Sequence, residues 1–208
     1  MSIPLKFLAG AAGVGTVSTG AYFAISHDKG TNIKDRLEAS GYSILNLDKG
    51  DSEKWEKIKE AYGKEDDEAL RFNGVNKNDA STIVGIKTAC SSLLASKSES
   101  LRDLEKARRW CVVPVTVSSR IGDNLALLSS QDSQDTSLWN AKLEEHKKEA
   151  SKFTKIPNVW DDKANSDELK LTAFKKKCEE MSKLNTFDKD FESFVAYTKD
   201  WCTKPKKG

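Results

Sequence analysis

Histidine is nearly missing from this chain: His27 and His146 are the only two in 208 residues. A serine–histidine–aspartate arrangement would have to use one of them. His27 abuts an apolar run, and His146 falls on an apolar stripe among Lys and Glu, the setting of a packed histidine and not of a base. Neither stands at ligand spacing from a cysteine and no C-x-x-C pair occurs, so zinc and thioredoxin-type chemistry are unsupported. An excess of one charge is lacking too, since 34 basic against 32 acidic residues leave +2. Displacing counterions from phosphate needs clustered basic excess, so nucleic acid is not an expected partner. The basic end Lys204-Pro205-Lys206-Lys207 reads as a solvated tail. The acidic run Glu65-Asp66-Asp67-Glu68 lacks calcium-loop spacing and a final Glu, and is expected to be a solvated face. Catalytic, cofactor-binding and metal-binding residues are therefore all expected to be none. Proline is scarce at four, which together with 32% charged residues suits a helical body.

One long run carries no charge at all, Phe7 to Ser26. Its length meets the roughly 20 residues that a membrane-spanning helix needs. Gly10, Gly13, Gly15 and Gly20 keep its hydrophobicity mediocre. Three readings fit: an uncleaved signal anchor with Tyr22 and Phe23 at the interface; a signal peptide cleaved before Ala21; and a buried core helix. Lipidation is disfavoured because Ala11, not Cys, follows Leu8-Ala9-Gly10. A phosphate loop is excluded because Ala21 and Tyr22 follow Gly20 where Lys and Ser or Thr would be required. The small residues suit close helix packing instead, as in Ala9-x-x-x-Gly13 and Ala11-x-x-x-Gly15.

The remainder of the chain repeats itself. Arg36 stands 19 residues before Trp55, and Arg120 stands 19 before Trp139. Between them Ile44 matches Leu128, Asp48 matches Asp132 and Asp51 matches Asp135 without a gap. Each Trp is followed by a lone Cys, Cys90 or Cys178, then by Trp110-Cys111 or Trp201-Cys202, then by Pro114 or Pro205. This order implies a tandem duplication. The expected organisation is residues 1–30 as signal anchor or signal peptide, 31–116 as helical repeat 1 and 117–208 as helical repeat 2. The expected fold is mainly α, an N-terminal transmembrane or signal helix followed by two tandem, pseudo-symmetric small helical bundles.

Periodicity places the helices. Asp51 and Ser52 are candidate caps for a helix whose apolar face is Trp55, Ile58 and Tyr62. Asp79 opens a helix with Ile83, Ile86, Cys90 and Leu93 on one face. Ser96-x-x-Glu99 has the form of a capping box leading into Leu101, Leu104 and Arg108. Val112 to Val117 is β-branched and contains Pro114, which makes it an extended connector or a short edge strand. In the second half Trp139, Leu143, His146, Ala150 and Phe153 share a stripe that Pro157 stops. Leu171, Phe174, Cys178 and Met181 form the next stripe, with Asn165, Ser166 and Asp167 as candidate caps. Phe187, Phe191, Phe194, Thr198 and Trp201 form the last, capped by Thr186.

Antiparallel helices joined by a short turn bring together residues equidistant from that turn. On this ground Cys90 faces Cys111 and Cys178 faces Cys202, and two disulfides in an exported body are expected over free buried thiols. Trp55, Trp110, Trp139 and Trp201, at matched positions, are read as core anchors and not as sugar-binding platforms.

The start MSIPLKFLAGAAGVGTVSTGAYFA and the triplet Arg109-Trp110-Cys111 resemble a large paralogous set of uncharacterised, membrane-associated surface proteins of haemotropic mycoplasmas. The resemblance covers the first part well and the rest loosely. It implies association with the cell surface and antigenic variation, and it lends no catalytic residues. The expectation is a membrane-anchored extracellular helical protein without enzymatic activity, a surface antigen or host-interaction module. Its partners would be the membrane, through residues 7–26, and a host or neighbouring surface protein. The alternatives are an exported enzyme or small-ligand carrier with a site between the two repeats, and a purely structural envelope protein.

Overall fold

A computed structural model describes residues 30–131, 133–160 and 164–206. The apolar run 7–26, with the expected anchor, lies outside the described residues. No helix among the described residues is long and apolar enough to cross a membrane. The described chain is mainly helical, with seven α-helices and one two-stranded sheet.

The first half holds α1 (Ile33–Ala39), α2 (Ser52–Lys64), α3 (Thr82–Ala95) and α4 (Leu101–Trp110). In α2 the spacing of Trp55, Ile58 and Tyr62 turns all three inward, and each is at most 1% exposed. Asp51 occupies the position before α2 but does not cap it. Its backbone is left-handed (φ +56°) and its carboxylate turns back, accepting the Asn46 N–H at 3.2 Å and pairing with Lys54 at 2.5 Å. In α3 the buried face is Thr82, Ile86, Cys90 and Leu94, so Ile83 and Leu93 flank the stripe.

The expected capping box at Ser96 does not form; the N-cap lies four residues on, at Ser100, without the reciprocal bond of a box, since the Ser100 N–H goes to Ser98 Oγ. Ser96 ends α3, and Ser100 begins α4 by accepting the Asp103 N–H at 3.3 Å. Leu101, expected on the apolar face, is 53% exposed, whereas Leu104, Ala107 and Arg108 of the same helix are buried.

The second half holds β1 (Leu125–Leu127), α5 (Thr136–Lys147), α6 (Asp167–Lys183), α7 (Phe191–Trp201) and β2 (Thr203–Pro205). Trp139, Leu143 and His146 are buried on α5 as the stripe requires, but the helix stops at Lys147, ten residues before Pro157. Ala150 and Phe153 therefore lie beyond it. Two side chains of its last turn hold the returning loop: Glu145 accepts the Lys152 N–H at 2.8 Å and His146 accepts the Ile156 N–H at 3.0 Å. In α6, Ser166 caps the start by accepting the Leu169 N–H, and Phe174, Cys178 and Met181 point inward. Asp190, not Thr186, precedes α7, and Phe187 falls in the turn before it. Thr186 is buried, and its main chain bonds the first half: its N–H donates to the Val115 carbonyl and its carbonyl accepts from Arg108.

β1 and β2 pair antiparallel, with Leu127 opposite Thr203 and Leu125 opposite Pro205. In the first half a single antiparallel bridge joins Ile44 to Val112. Val112 to Val117 thus combines both expected forms, bridging Ile44 at one end and, through Thr116, Asn185 at the other. Val117 itself begins a 3-10 turn that runs to Arg120.

Leu45 N–H donates to the Cys111 carbonyl at 3.0 Å, and Leu128 N–H donates to the Cys202 carbonyl at 2.8 Å. Asp51 follows Leu45 by six positions and Asp135 follows Leu128 by seven.

Two apolar clusters fill the interior. One gathers Ile33, Leu37, Trp55, Ile58, Tyr62, Ile86, Leu104 and Trp110, and the other Leu128, Trp139, Ile156, Phe174, Met181 and Trp201. Helix α7 serves both: Phe191 and Val195 belong to the first cluster, Trp201 to the second, and Phe194 packs against each.

Candidate functional site

The four cysteines form two disulfides, Cys90–Cys111 and Cys178–Cys202, each with Cα atoms 5.6 Å apart. Both close helical hairpins, α3 with α4 and α6 with α7. Each loop closure is worth about 3 kcal/mol on a chain-entropy estimate.

The four tryptophans matched in sequence are at most 1% exposed. Each indole N–H donates to a main-chain carbonyl. Trp55 reaches Asn46 at 2.9 Å and Trp139 reaches Ser129 at 2.8 Å. Trp110 reaches Leu70 at 2.7 Å and Trp201 reaches Thr154 at 2.8 Å. Burying a large ring while pairing its one polar atom makes each a nail between a helix and a loop. The rings are not accessible platforms.

His146 is 3% exposed and ringed by aromatics, with Trp201, Trp160 and Phe174 at centroid distances of 4.8, 5.0 and 5.2 Å. Burial, followed by the charge of Lys155, lowers its pKa to about 4. A neutral ring whose Nε2 lone pair receives the Ile156 N–H serves as a structural acceptor.

Polar cross-links join the halves. Arg108, 2% exposed, donates from Nη1 to the Thr186 carbonyl and lies over the Phe191 ring at 5.4 Å. The Tyr42 hydroxyl donates to Glu192. Arg120 donates to the carbonyls of Gly41 at 2.9 Å and Ser40 at 2.6 Å while stacking 4.4 Å over Tyr42. Thr186 N–H donates to Val115 O.

Beside this seam is a cleft of about 310 Å³, walled by α2 on one side and by Phe187, Asp188 and Lys189 on the other. Arg109, 4% exposed, lines it. Its Nη2 pairs with Glu65, whose side chain is 11% exposed. The first acidic residue of the run expected to be solvated is thus drawn inward by a buried guanidinium. The other three stay outside: Asp66 pairs with Lys77, Asp67 accepts the Ala69 N–H, and Glu68 pairs with Arg71.

Arg109 also lies 4.8 Å over the Trp110 ring. Its Nε and Nη1 are buried without a hydrogen-bond partner. Of the other buried or half-buried arginines Arg36, Arg71 and Arg108, each leaves only Nε so. Three lysines, Lys57, Lys64 and Lys189, rim the cleft. Lys64 pairs with Glu60 at 2.6 Å, and that contact holds the Glu60 carboxyl below its usual range.

Sequence reasoning did not single out Arg108, Arg109 or Glu65 as a group. A basic pair ending an amphipathic helix reads as dipole complementation, and only packing turns it inward. The one available signal was the pair's position directly before Trp110-Cys111, both of which must be buried. No group of three or more His, Cys, Asp or Glu at metal-binding geometry occurs among the described residues. No family model, no curated protein and no solved structure matches this chain.

Proposed function

We propose that the chain is a non-enzymatic, disulfide-stapled helical recognition module, held at the outer face of a cell membrane through residues 7–26. Residues 31–116 and 117–208 are read as two copies of one unit. The observation that carries the location is the pair of disulfides, since such bonds persist in oxidising surroundings and are rare in reducing ones. The uncharged run at the start supplies a means of reaching that compartment.

Duplication is supported by bonds made twice at corresponding places. They are the Trp55 and Trp139 bonds, the Trp110 and Trp201 bonds, and the Tyr62 and His146 acceptors. The aspartates Asp51 and Asp135 likewise accept from Asn46 and Ser129 N–H. Recognition would use the exposed, charged helix faces on this stiff frame, presented to a host or neighbouring surface protein.

A small-ligand carrier with its site between the halves is the second reading, and the cleft at Arg109 favours it. Catalysis there finds little support: Glu60 is lowered by Lys64, the direction of a solvated ion pair and not of a poised acid.

Protease shaving of intact cells, with mass mapping under non-reducing and reducing conditions, tests the placement. Peptides of the body should be released from intact cells with Cys90 joined to Cys111 and Cys178 to Cys202. Full protection of the body together with four free thiols would overturn it.

A further inference from the structure

We propose that the Cys178–Cys202 bond is a site of thiol–disulfide exchange, open to a small anionic thiol, while Cys90–Cys111 is a sealed structural staple. Each half has a cleft beside its cysteine-bearing hairpin. In the first half it runs between α3 and Ser43 to Asp48, holds about 820 Å³, and is lined by Ile44, Leu45, Ser91 and Leu94 among others. In the second it runs between α6 and Leu127 to Gln131, holds about 370 Å³, and is lined by Leu128, Lys175, Glu179 and Ser182 among others. Cys178 and Cys202 line their cleft as well, whereas neither Cys90 nor Cys111 lines the first. Exposure agrees, at 4% and 1% for the second pair and 0% for both members of the first.

A single difference between the halves accounts for this. Leu94 follows Cys90 by four residues, one turn along the same buried face of α3. A helical side chain leans back over the turn before it, so Leu94 lies across the approach to Cys90, and it is Leu94 that meets the cleft. The residue four after Cys178 is Ser182, whose hydroxyl donates to the Glu179 carbonyl at 2.8 Å. A serine is too short to shut the wall, and the bond behind it can be reached. The charged residues of this lining are Lys175 and Glu179. Glu179 pairs with Lys183 at 2.6 Å, which leaves Lys175, three residues before Cys178, to attract a thiolate that carries a further negative charge.

The exchange has two steps. A thiolate bonds to Cys178 Sγ, the more exposed residue of the pair, as the Sγ–Sγ bond breaks and its electron pair leaves on Cys202. A second thiolate then attacks the small thiol's sulfur in the adduct, which forms that thiol's own disulfide and releases Cys178 as a thiolate. Two small thiols are oxidised, two cysteines are reduced, and water supplies their protons. Opening frees the α6–α7 hairpin while α3 stays stapled to α4.

The test follows both bonds in the purified full chain in neutral detergent micelles, with timed alkylation and peptide mapping. Mercaptoethanesulfonate, mercaptoethanol and cysteamine present an anionic, a neutral and a cationic group beside the thiol, and are compared at equal thiolate concentration. Cys178–Cys202 should open at least about tenfold faster than Cys90–Cys111, with mercaptoethanesulfonate ahead of cysteamine. Lys175→Glu should reverse that order.

Ser182→Leu should slow the opening of Cys178–Cys202, and Leu94→Ser should speed that of Cys90–Cys111. In each variant the other bond is the reference, because general loosening speeds both bonds and a change of cover moves one. The site is overturned by equal rates in the parent, by Cys90–Cys111 opening first, or by relative rates that neither variant changes. Cysteamine reacting as fast as mercaptoethanesulfonate overturns the assignment of an anionic thiol. These rates do not bear on where the body resides, which the shaving experiment decides separately.

Discussion

Tyr62 and His146 do the same job with different chemistry: the Tyr62 hydroxyl accepts the Phe72 N–H at 2.8 Å, and His146 Nε2 accepts the Ile156 N–H at 3.0 Å. Each acts ten residues down the chain, and each meets a tryptophan edge to face, Trp110 at 5.0 Å and Trp201 at 4.8 Å. The difference is that imidazole titrates where phenol does not.

A pH dependence follows. The folded-state pKa of His146 lies near 4, below its ordinary 6.5, so the unfolded chain binds the proton more readily. Stability is complete above about pH 6.5 and falls as pH drops through the window down to about 4, by up to about 3 kcal/mol. Thermal melting from pH 7.5 to 4 should show the decline. His146→Phe should flatten it, at the cost of about 1 to 3 kcal/mol at neutral pH because the Ile156 N–H loses its acceptor.

The indole bonds can be tested in pairs. Trp110→Phe and Trp201→Phe keep most of the ring but remove the indole bonds to the Leu70 and Thr154 carbonyls, a loss of about 1 kcal/mol each. If the halves are copies, the two losses measured by urea denaturation should agree to within about 1 kcal/mol. A loss at one position only would argue against equivalence.

Replacing Cys90 and Cys111 together by serine, or Cys178 and Cys202 together, should lower stability by about 3 kcal/mol in each case. Denaturant titration of the two double variants and the parent measures it. Thiol labelling of the unfolded parent should find no reactive cysteine until a reductant is added.

Arg108 is the most deeply buried charge on the seam. Arg108→Ala removes the donor to Thr186 O and opens a cavity under Phe191, so a loss of about 3 to 5 kcal/mol is expected. Arg108→Lys should recover little of it, since a point charge replaces the planar fork that reaches both Thr186 and Glu105. Circular-dichroism denaturation of both variants decides the matter.

At Gly41 the backbone is left-handed (φ +78°), and an added Cβ would stand 3.0 Å from Arg120 Nη1. Gly41→Ala should therefore cost about 1 to 3 kcal/mol through strain and displacement of Arg120 from Tyr42. The same denaturation measurement checks it, and Gly74→Ala, also left-handed but in open space, should cost less.

The helical class, the facing of Trp55 with Tyr62 and of Phe174 with Cys178, and both disulfide partnerships were legible in residue spacing. These depend on one helix or one hairpin, where the 3.6-residue period and the distance from a turn settle which side chains meet. Caps were less legible. Serines at 96, 98 and 100 all satisfy the local chemistry, and the winner at Ser100 follows from how α4 seats on the core.

By itself the sequence determined that the body is helical, that its cysteines meet within hairpins and that its tryptophans recur. Each is a consequence of period and order along the chain. Only the tertiary structure decided that α7 lends Phe191 to one cluster and Trp201 to the other, and that Arg109 and Glu65, 44 residues apart, are buried together beside Phe187. The reason is that a charged side chain looks alike in sequence whether it faces water or a partner. Its burial is settled by which distant surface closes over it, and no local pattern encodes that.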